Sequence, residues 1–302
     1  MSKKTQKLLQ SFFSLGLVVF VIGSYVIAAQ EAVTGTWKAE VKTEKNDKIQ
    51  VSFERKTEKG GKHQHGSSFA YSDFQGLTRE KAQNGRVSFS LAREAGTIEC
   101  EGEFTNGKGA GTFRFSPNKS YVDAMRSRGF DFEKPSKHGH GDEPENRLFA
   151  AATINVTTAL ADDLLSANFG KLDVDDLFKA AIFKVDSKFM REMKDSGFPN
   201  LGMEELVKAR IFKIDGEFLR ELAAQGFSDE PFENVVKMRI FKITPEFITG
   251  VRSEGFQNID IEDLVKMKIF NINAEFIRQA RAEGVPMDVE KLVQKRIGVW
   301  KK

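Results

Sequence analysis

The sequence predicts an α+β protein: a small N-terminal antiparallel β domain, barrel or sandwich-like, followed by an α-α repeat solenoid of short helix pairs. Three observations carry this expectation. Between Thr34 and Phe115 apolar and polar residues alternate with period two, the mark of strands with one buried and one wet face. From Ile182 a unit of 29 residues is written three times and runs on into a fourth: Ile182-Phe183-Lys184-Val185, Ile211-Phe212-Lys213-Ile214, Ile240-Phe241-Lys242-Ile243 and Ile269-Phe270-Asn271-Ile272. A fixed period of about 20 to 50 residues signals stacked units, none of which can bury its apolar face alone. Finally, 27 Phe against 3 Tyr is an aromatic content that packs, where a binding surface prefers Tyr and Trp.

The chain begins with Lys3, Lys4 and Lys7, an apolar run from Phe12 to Ala29, and Gln30-Glu31. A basic start, a hydrophobic stretch and small residues at Ala28-Ala29 read as a secretory signal peptide over residues 1–29. The run also reaches the roughly 18 residues a span requires, so an uncleaved inner-membrane anchor is the alternative. Either way the bulk of the protein lies outside the cytoplasm, in the periplasm or cell envelope. Without residues 1–29 the 46 basic residues fall to 43, equal to the 43 acidic ones. The sustained basic excess of a nucleic-acid binder is therefore missing. Cys100 is the single cysteine, so no intrachain disulfide is possible.

Residues 30–117 form the β domain. Trp37, Ala39 and Val41 alternate with charged residues, as do Ile49, Val51 and Phe53, then Val87, Phe89 and Leu91, then Ile98, Cys100 and Phe104. Six or seven short strands fit, in a barrel, a half-barrel or a sandwich. Gly102 to Lys108 matches the first part of a Walker A loop, but Gly109 stands where Ser or Thr must hold magnesium. Asn106-Gly107 between alternating runs predicts a type I′ hairpin instead. Cys100 points inward by parity with no His nearby, which makes it a buried, inert thiol. Ser116 and Lys119 have the Ser-x-x-Lys spacing of penicillin-recognising proteins without the companion motifs.

All four histidines fall in two His-x-His pairs, His63 with His65 and His138 with His140, each among Gly and Lys. Brought together they offer zinc or copper ligands, with Asp142 or Glu143 beside them. Solvated loops account for them more simply, so no metal site, cofactor or catalytic residue is assigned.

The repeat register extends backwards. Tyr121 to Phe130 reproduces the spacing of Phe189 to Phe198, and Leu148-Phe149-Ala150-Ala151 echoes Leu177-Phe178-Lys179-Ala180. Residues 118–152 are therefore a degenerate first unit, split by an inserted surface loop from Pro135 to Pro144. Residues 153–302 form the helical array with its C-terminal cap. Within each unit Asp186, Asp215, Thr244 or Asn273 caps a first helix, with Glu217, Glu246 and Glu275 in the first turn. Gly197, Gly226, Gly255 and Gly284 stop it, and Asn168 takes that place in an earlier unit. A second helix starts near Asp173, Gly202, Glu230 or Asp260. Helices of about ten residues are marginal alone, so stacking stabilises them. The last copy is one residue shorter, and Trp300 is expected to cover its open face.

At the Phe-x-Arg-x-Leu helix, the Gly-Phe stop and the Glu-Glu-Leu-Val-Lys helix, the repeats resemble tandem arrays of bacterial envelope proteins. They are also similar to extensions of membrane sensor metallopeptidases of the BlaR/MecR class. The likeness covers roughly Tyr121 to Val299 and is specific to the repeat. No His-Glu-x-x-His occurs, so the resemblance implies an accessory role in envelope sensing and no peptidase activity. The expected function is a non-enzymatic exported scaffold that binds a protein or peptide. It has no nucleic-acid partner and touches the membrane only through an uncleaved N-terminal segment. The alternative is a β domain that binds a metal or small ligand and signals through the repeats.

Overall fold

The computed structural model of the chain describes residues 33–41, 47–56, 62–134 and 143–301. Among these residues seven strands come first: β1 Val33–Glu40, β2 Lys48–Lys56, β3 Lys62–Ala70, β4 Phe74–Gln75, β5 Gly85–Arg93, β6 Gly96–Thr105 and β7 Lys108–Pro117. They form one sheet in the order β3-β2-β1-β7-β6-β5-β4, with every pair antiparallel. Because β1 pairs with both β2 and β7, the strands run round as an up-and-down meander that stays open between β3 and β4. A turn of 3-10 helix, Tyr71–Asp73, joins those two edges, and Phe69 meets Phe74 there at 5.4 Å between ring centroids. Of the three architectures compatible with the alternation, the chain adopts the half-barrel.

Side-chain volume sets the curvature. Trp37 on β1 pairs across to Gly111 on β7, which pairs to Gly102 on β6. The fully buried indole lies where a side chain at Gly102 would stand and donates its N–H to the Glu101 carbonyl at 3.1 Å. A Cβ on Gly102 would sit 2.8 Å from the indole, and one on Gly111 would sit 1.9 Å from the Glu101 oxygen. Glycines in a strand interior mark such a bend. At the β6–β7 turn Asn106 and Gly107 have φ 51° and 76°, as a type I′ hairpin requires.

Twelve helices follow among the described residues: α1 Lys119–Ser127, α2 Pro144–Ile154, α3 Thr158–Ser166, α4 Val174–Phe183, α5 Ser187–Asp195, α6 Met203–Phe212, α7 Gly216–Ala224, α8 Phe232–Ile240, α9 Pro245–Ser253, α10 Ile261–Ile269, α11 Ala274–Ala282 and α12 Val289–Arg296. The caps read from the sequence are formed: Asp186, Asp215, Thr244 and Asn273 each accept the backbone N–H three residues on. Gly197, Gly226, Gly255 and Gly284 all have positive φ, as does Asn168. The N–H of Phe227 returns to the Leu222 carbonyl at 3.0 Å, and that of Phe198 to Met193 at 3.0 Å, the closing bond of a Schellman stop. One boundary differs. Pro231 is extended and caps α8 from outside, so this helix begins at Phe232 rather than near Glu230.

Every even-numbered helix from α2 to α12 packs against the next even one, and among the odd ones α1 meets α3, α3 meets α5 and α9 meets α11. The sheet is built into this succession. The chain passes from Pro117 at the end of β7 to α1 at Lys119. Thr158, the first residue of α3, donates its N–H to the Glu94 carboxylate in the β5–β6 turn at 2.8 Å. Helix α2 is buried on several sides: Leu148, Ala151 and Ala152 are in the core, and the Arg147 guanidinium donates to the Phe132 carbonyl at 2.9 Å. Its Phe149 enters the half-barrel, stacked on Phe113 at 5.0 Å and edge-on to Phe53 and Phe115.

Replacing Phe149 by Ala should cost about 3–5 kcal/mol, the range for truncating a buried Phe. Loss of sheet and loss of helix should occur in one urea transition shifted to lower concentration. If the near-ultraviolet signal of Trp37 and the far-ultraviolet helix signal separate in the wild-type protein, the two parts are not coupled through α2.

Candidate functional site

Only a few side chains of the even helices are exposed, and they recur at the repeat spacing. In α6 Glu204 and Ile211 are exposed with the half-buried Lys208 between them, spaced four and three residues apart so that they share one helix face. Their counterparts are Glu233, Lys237 and Ile240 in α8, and Glu262, Lys266 and Ile269 in α10. The Lys and Glu rows close on each other between neighbours. Lys208 Nζ donates to the Glu233 carboxylate at 2.6 Å. Lys179 pairs in the same way with Glu204, Lys237 with Glu262, and Lys266 with Glu290. The Glu233 and Glu290 carboxylates raise the pKa of Lys208 and Lys266 by these hydrogen bonds.

The isoleucines have no such use. Ile182, Ile211, Ile240 and Ile269 keep 55%, 52%, 47% and 53% of their surface, and Ile297 in the shortened last unit keeps 54%. Ile214, Ile243 and Ile272, three residues after Ile211, Ile240 and Ile269, are buried, as is Val185 after Ile182. The residue that separates these two fates is Lys184, Lys213, Lys242 or Asn271, each in the left-handed conformation at φ 51° to 60°. That reversal ends the helix, leaves the first Ile outside and turns the next apolar residue into the core. Phe183, Phe212, Phe241 and Phe270 lie between them, partly buried against the core. The result is a row of Ile with half-covered Phe on one side of the molecule, flanked by exposed Lys184, Lys213 and Lys242. In the sequence this motif marks the repeat. Its signal for function was a large apolar residue repeated where the helix already had its full apolar side.

His63 and His65 lie in strand β3 and not in the loop the sequence suggested, with backbones opposite Arg55 and Phe53. The β2–β3 ladder holds them there because Phe53, Val51 and Ile49 face the core. The His65 ring is half-buried, edge-on to Phe149 at 5.8 Å. The side chain of His63 and all of His138, His140 and Asp142 lie outside the described residues. Among the described residues no group of three or more His, Cys, Asp and Glu is gathered as for a metal ion. Cys100 is buried, and burial pushes its thiol pKa well up.

Two shallow depressions complete the surface. One of about 670 Å³ lies outside the sheet where Gly102 and Gly111 draw it inward, lined by Arg86, Ser88, Glu101, Glu103 and Thr112. Another of about 440 Å³ lies between the turns that precede α10 and α12. Its carboxylates are engaged in folding: Asp288 accepts the N–H of Lys291 at 3.0 Å, and Asp263 and Glu290 both meet Lys266. At the C-terminus Trp300 is half-buried under Lys295, 5.5 Å from its ring centroid. It covers the last unit only in part, since Ile297 and Val299 remain exposed.

No helix among the described residues is long and apolar enough by itself to cross a membrane. Comparison with models of protein families, with curated proteins and with solved structures finds no match to this chain.

Serine in place of Ile211 or Ile240 should change stability by no more than about 0.5 kcal/mol, the range of surface substitutions. Serine in place of Ile214 or Ile243 should cost more than about 3 kcal/mol, combining a core cavity with a buried hydroxyl. Chemical denaturation of the four variants checks the contrast. The raised pKa of Lys208 and Lys266 predicts that their contribution is complete below the unfolded lysine pKa of about 10.4 and is lost as pH rises through the folded value. The thermal midpoint should therefore fall in that alkaline window, and fall less in a Lys208→Met/Lys266→Met variant.

Proposed function

We propose that this chain is a non-enzymatic exported scaffold of the bacterial cell envelope. Its helix pairs form an α-α solenoid that presents an extended surface to a protein or peptide, and the half-barrel closes the N-terminal end. One observation supports this above the others: an exposed isoleucine recurs in each of five successive units where folding does not require it. Large apolar side chains repeated on one exposed face mark an interaction surface, and stacked repeats use such surfaces for extended ligands. The likeness of the repeats to arrays attached to sensor metallopeptidases directs the role towards envelope sensing. The basic and apolar N-terminal run directs the location.

A second reading has the β domain bind a metal or small ligand and signal through the repeats. Helix α2 favours it, because the helix that plugs the half-barrel also packs on α4. Calorimetric titration with zinc and copper, compared with a variant carrying Ala at His63, His65, His138 and His140, decides that reading. Equal heats in both proteins would end it.

For the scaffold, selection from a displayed library of random peptides should enrich binders to the purified protein that do not bind an unrelated helical-repeat control. No enrichment over that control would remove the proposal. Small-angle scattering should show an elongated particle, and a compact sphere would contradict the solenoid.

A further inference from the structure

The isoleucine row carries enough chemistry to describe what covers it, given the scaffold reading on which this inference rests. We infer that the row binds an extended, acidic-apolar polypeptide segment running across the even helices, with an apolar residue at every third position and carboxylates between.

The spacing comes first. Helices in contact lie about 8–10 Å apart, so successive isoleucines on α4, α6, α8 and α10 repeat at about that distance. A polyproline-type extended chain advances about 3.1 Å per residue with three residues per turn. It therefore presents the same side to the surface every 9 Å or so, in step with the row.

Charge supplies the second term. Lys184, Lys213 and Lys242 stand two residues beyond Ile182, Ile211 and Ile240, at the end of each helix. They are exposed, and among the described residues they form no ion pair, unlike the lysines of the Lys–Glu ladder. The nearest acidic residues in sequence are already engaged, since Asp186 accepts the N–H of Phe189 at 2.7 Å and Asp215 that of Phe218 at 3.0 Å. Carboxylates on the partner would answer these three cations. Glu204, Glu233 and Glu262 on the same helix faces are each paired with a lysine of the preceding unit, so they do not cancel the turn lysines.

Fluorescence anisotropy of the purified full chain tests this, with a labelled peptide of about four Leu-Pro-Glu triplets as probe. Ser-Pro-Glu and Leu-Pro-Lys versions serve as controls. The Leu-Pro-Glu peptide should bind more tightly than either control. Ile211→Ser/Ile240→Ser should weaken it at least about tenfold, and so should Lys213→Glu/Lys242→Glu, with helix content unchanged. Equal binding of the three peptides, or binding unaffected by the isoleucine changes, overturns the inference. If library-selected peptides still bind in the second case, the scaffold reading survives on another face. Isoleucine-dependent sedimentation with phosphatidylglycerol vesicles, or an isoleucine-dependent dimer in sedimentation velocity, overturns it in favour of a membrane or a second copy.

Discussion

Phe149 is held between Phe53, Phe113 and Phe115 of the sheet, while the helix that carries it packs on α4 as a member of the even row. A half-barrel with an open seam has a concave apolar face that its own strands cannot cover, and a row of stacked helices has a first member with nothing before it. Helix α2 answers both needs with one set of side chains. The sheet and the helices therefore share a core, and aromatic packing of this kind is worth more than its area alone. The Glu94 carboxylate on the N–H of Thr158 and the Tyr121 hydroxyl on the Val156 carbonyl at 3.1 Å fix the orientation that the phenylalanines stabilise.

Beyond α2 the same unit is solved repeatedly, and each helix end has its own device. The odd helices stop at glycine, or at Asn168, where left-handed backbone costs little. The even helix α12 stops at Gly298, and α2 to α10 stop at Lys or Asn in that conformation, which costs a side-chain-bearing residue about 1–2 kcal/mol. The bond that follows offsets it. The N–H of Ile214, Ile243 and Ile272 returns to Ala209, Met238 and Met267 at 2.8 Å, and each of those isoleucines is driven into the core. The cost is met by burial of the residue after the turn. The isoleucine before it is left in solvent.

Neighbouring units are also tied by charge. Arg210 lies over Phe189 at 3.7 Å, Arg239 over Phe218 at 4.5 Å, Lys268 over Phe247 at 4.5 Å and Arg296 over Phe276 at 4.8 Å. Towards the C-terminal end Arg278 and Arg281 both engage Glu254, whose carboxyl they hold below the usual range. Most basic side chains of the repeats are consumed in this way. Lys184, Lys213 and Lys242 beside the isoleucine row are exposed at the turns.

Local chemistry was legible in the sequence because its causes are local. Alternation in β1, β5 and β6, the Asn106-Gly107 turn, the caps at Asp186 and Asp215 and the stops at Gly197 and Gly226 each depend on residues within one turn of chain. Tertiary structure decided what depends on distant partners. Strand β3 holds His63 and His65 because β2 pairs with it, the Trp37 indole needs Gly102 on another strand, and Phe149 finds its place only once the sheet has curled. The two isoleucines of each repeat look equivalent in sequence. A single left-handed residue between them sends one inward and one outward, so which is free to bind was set by backbone geometry that composition does not record.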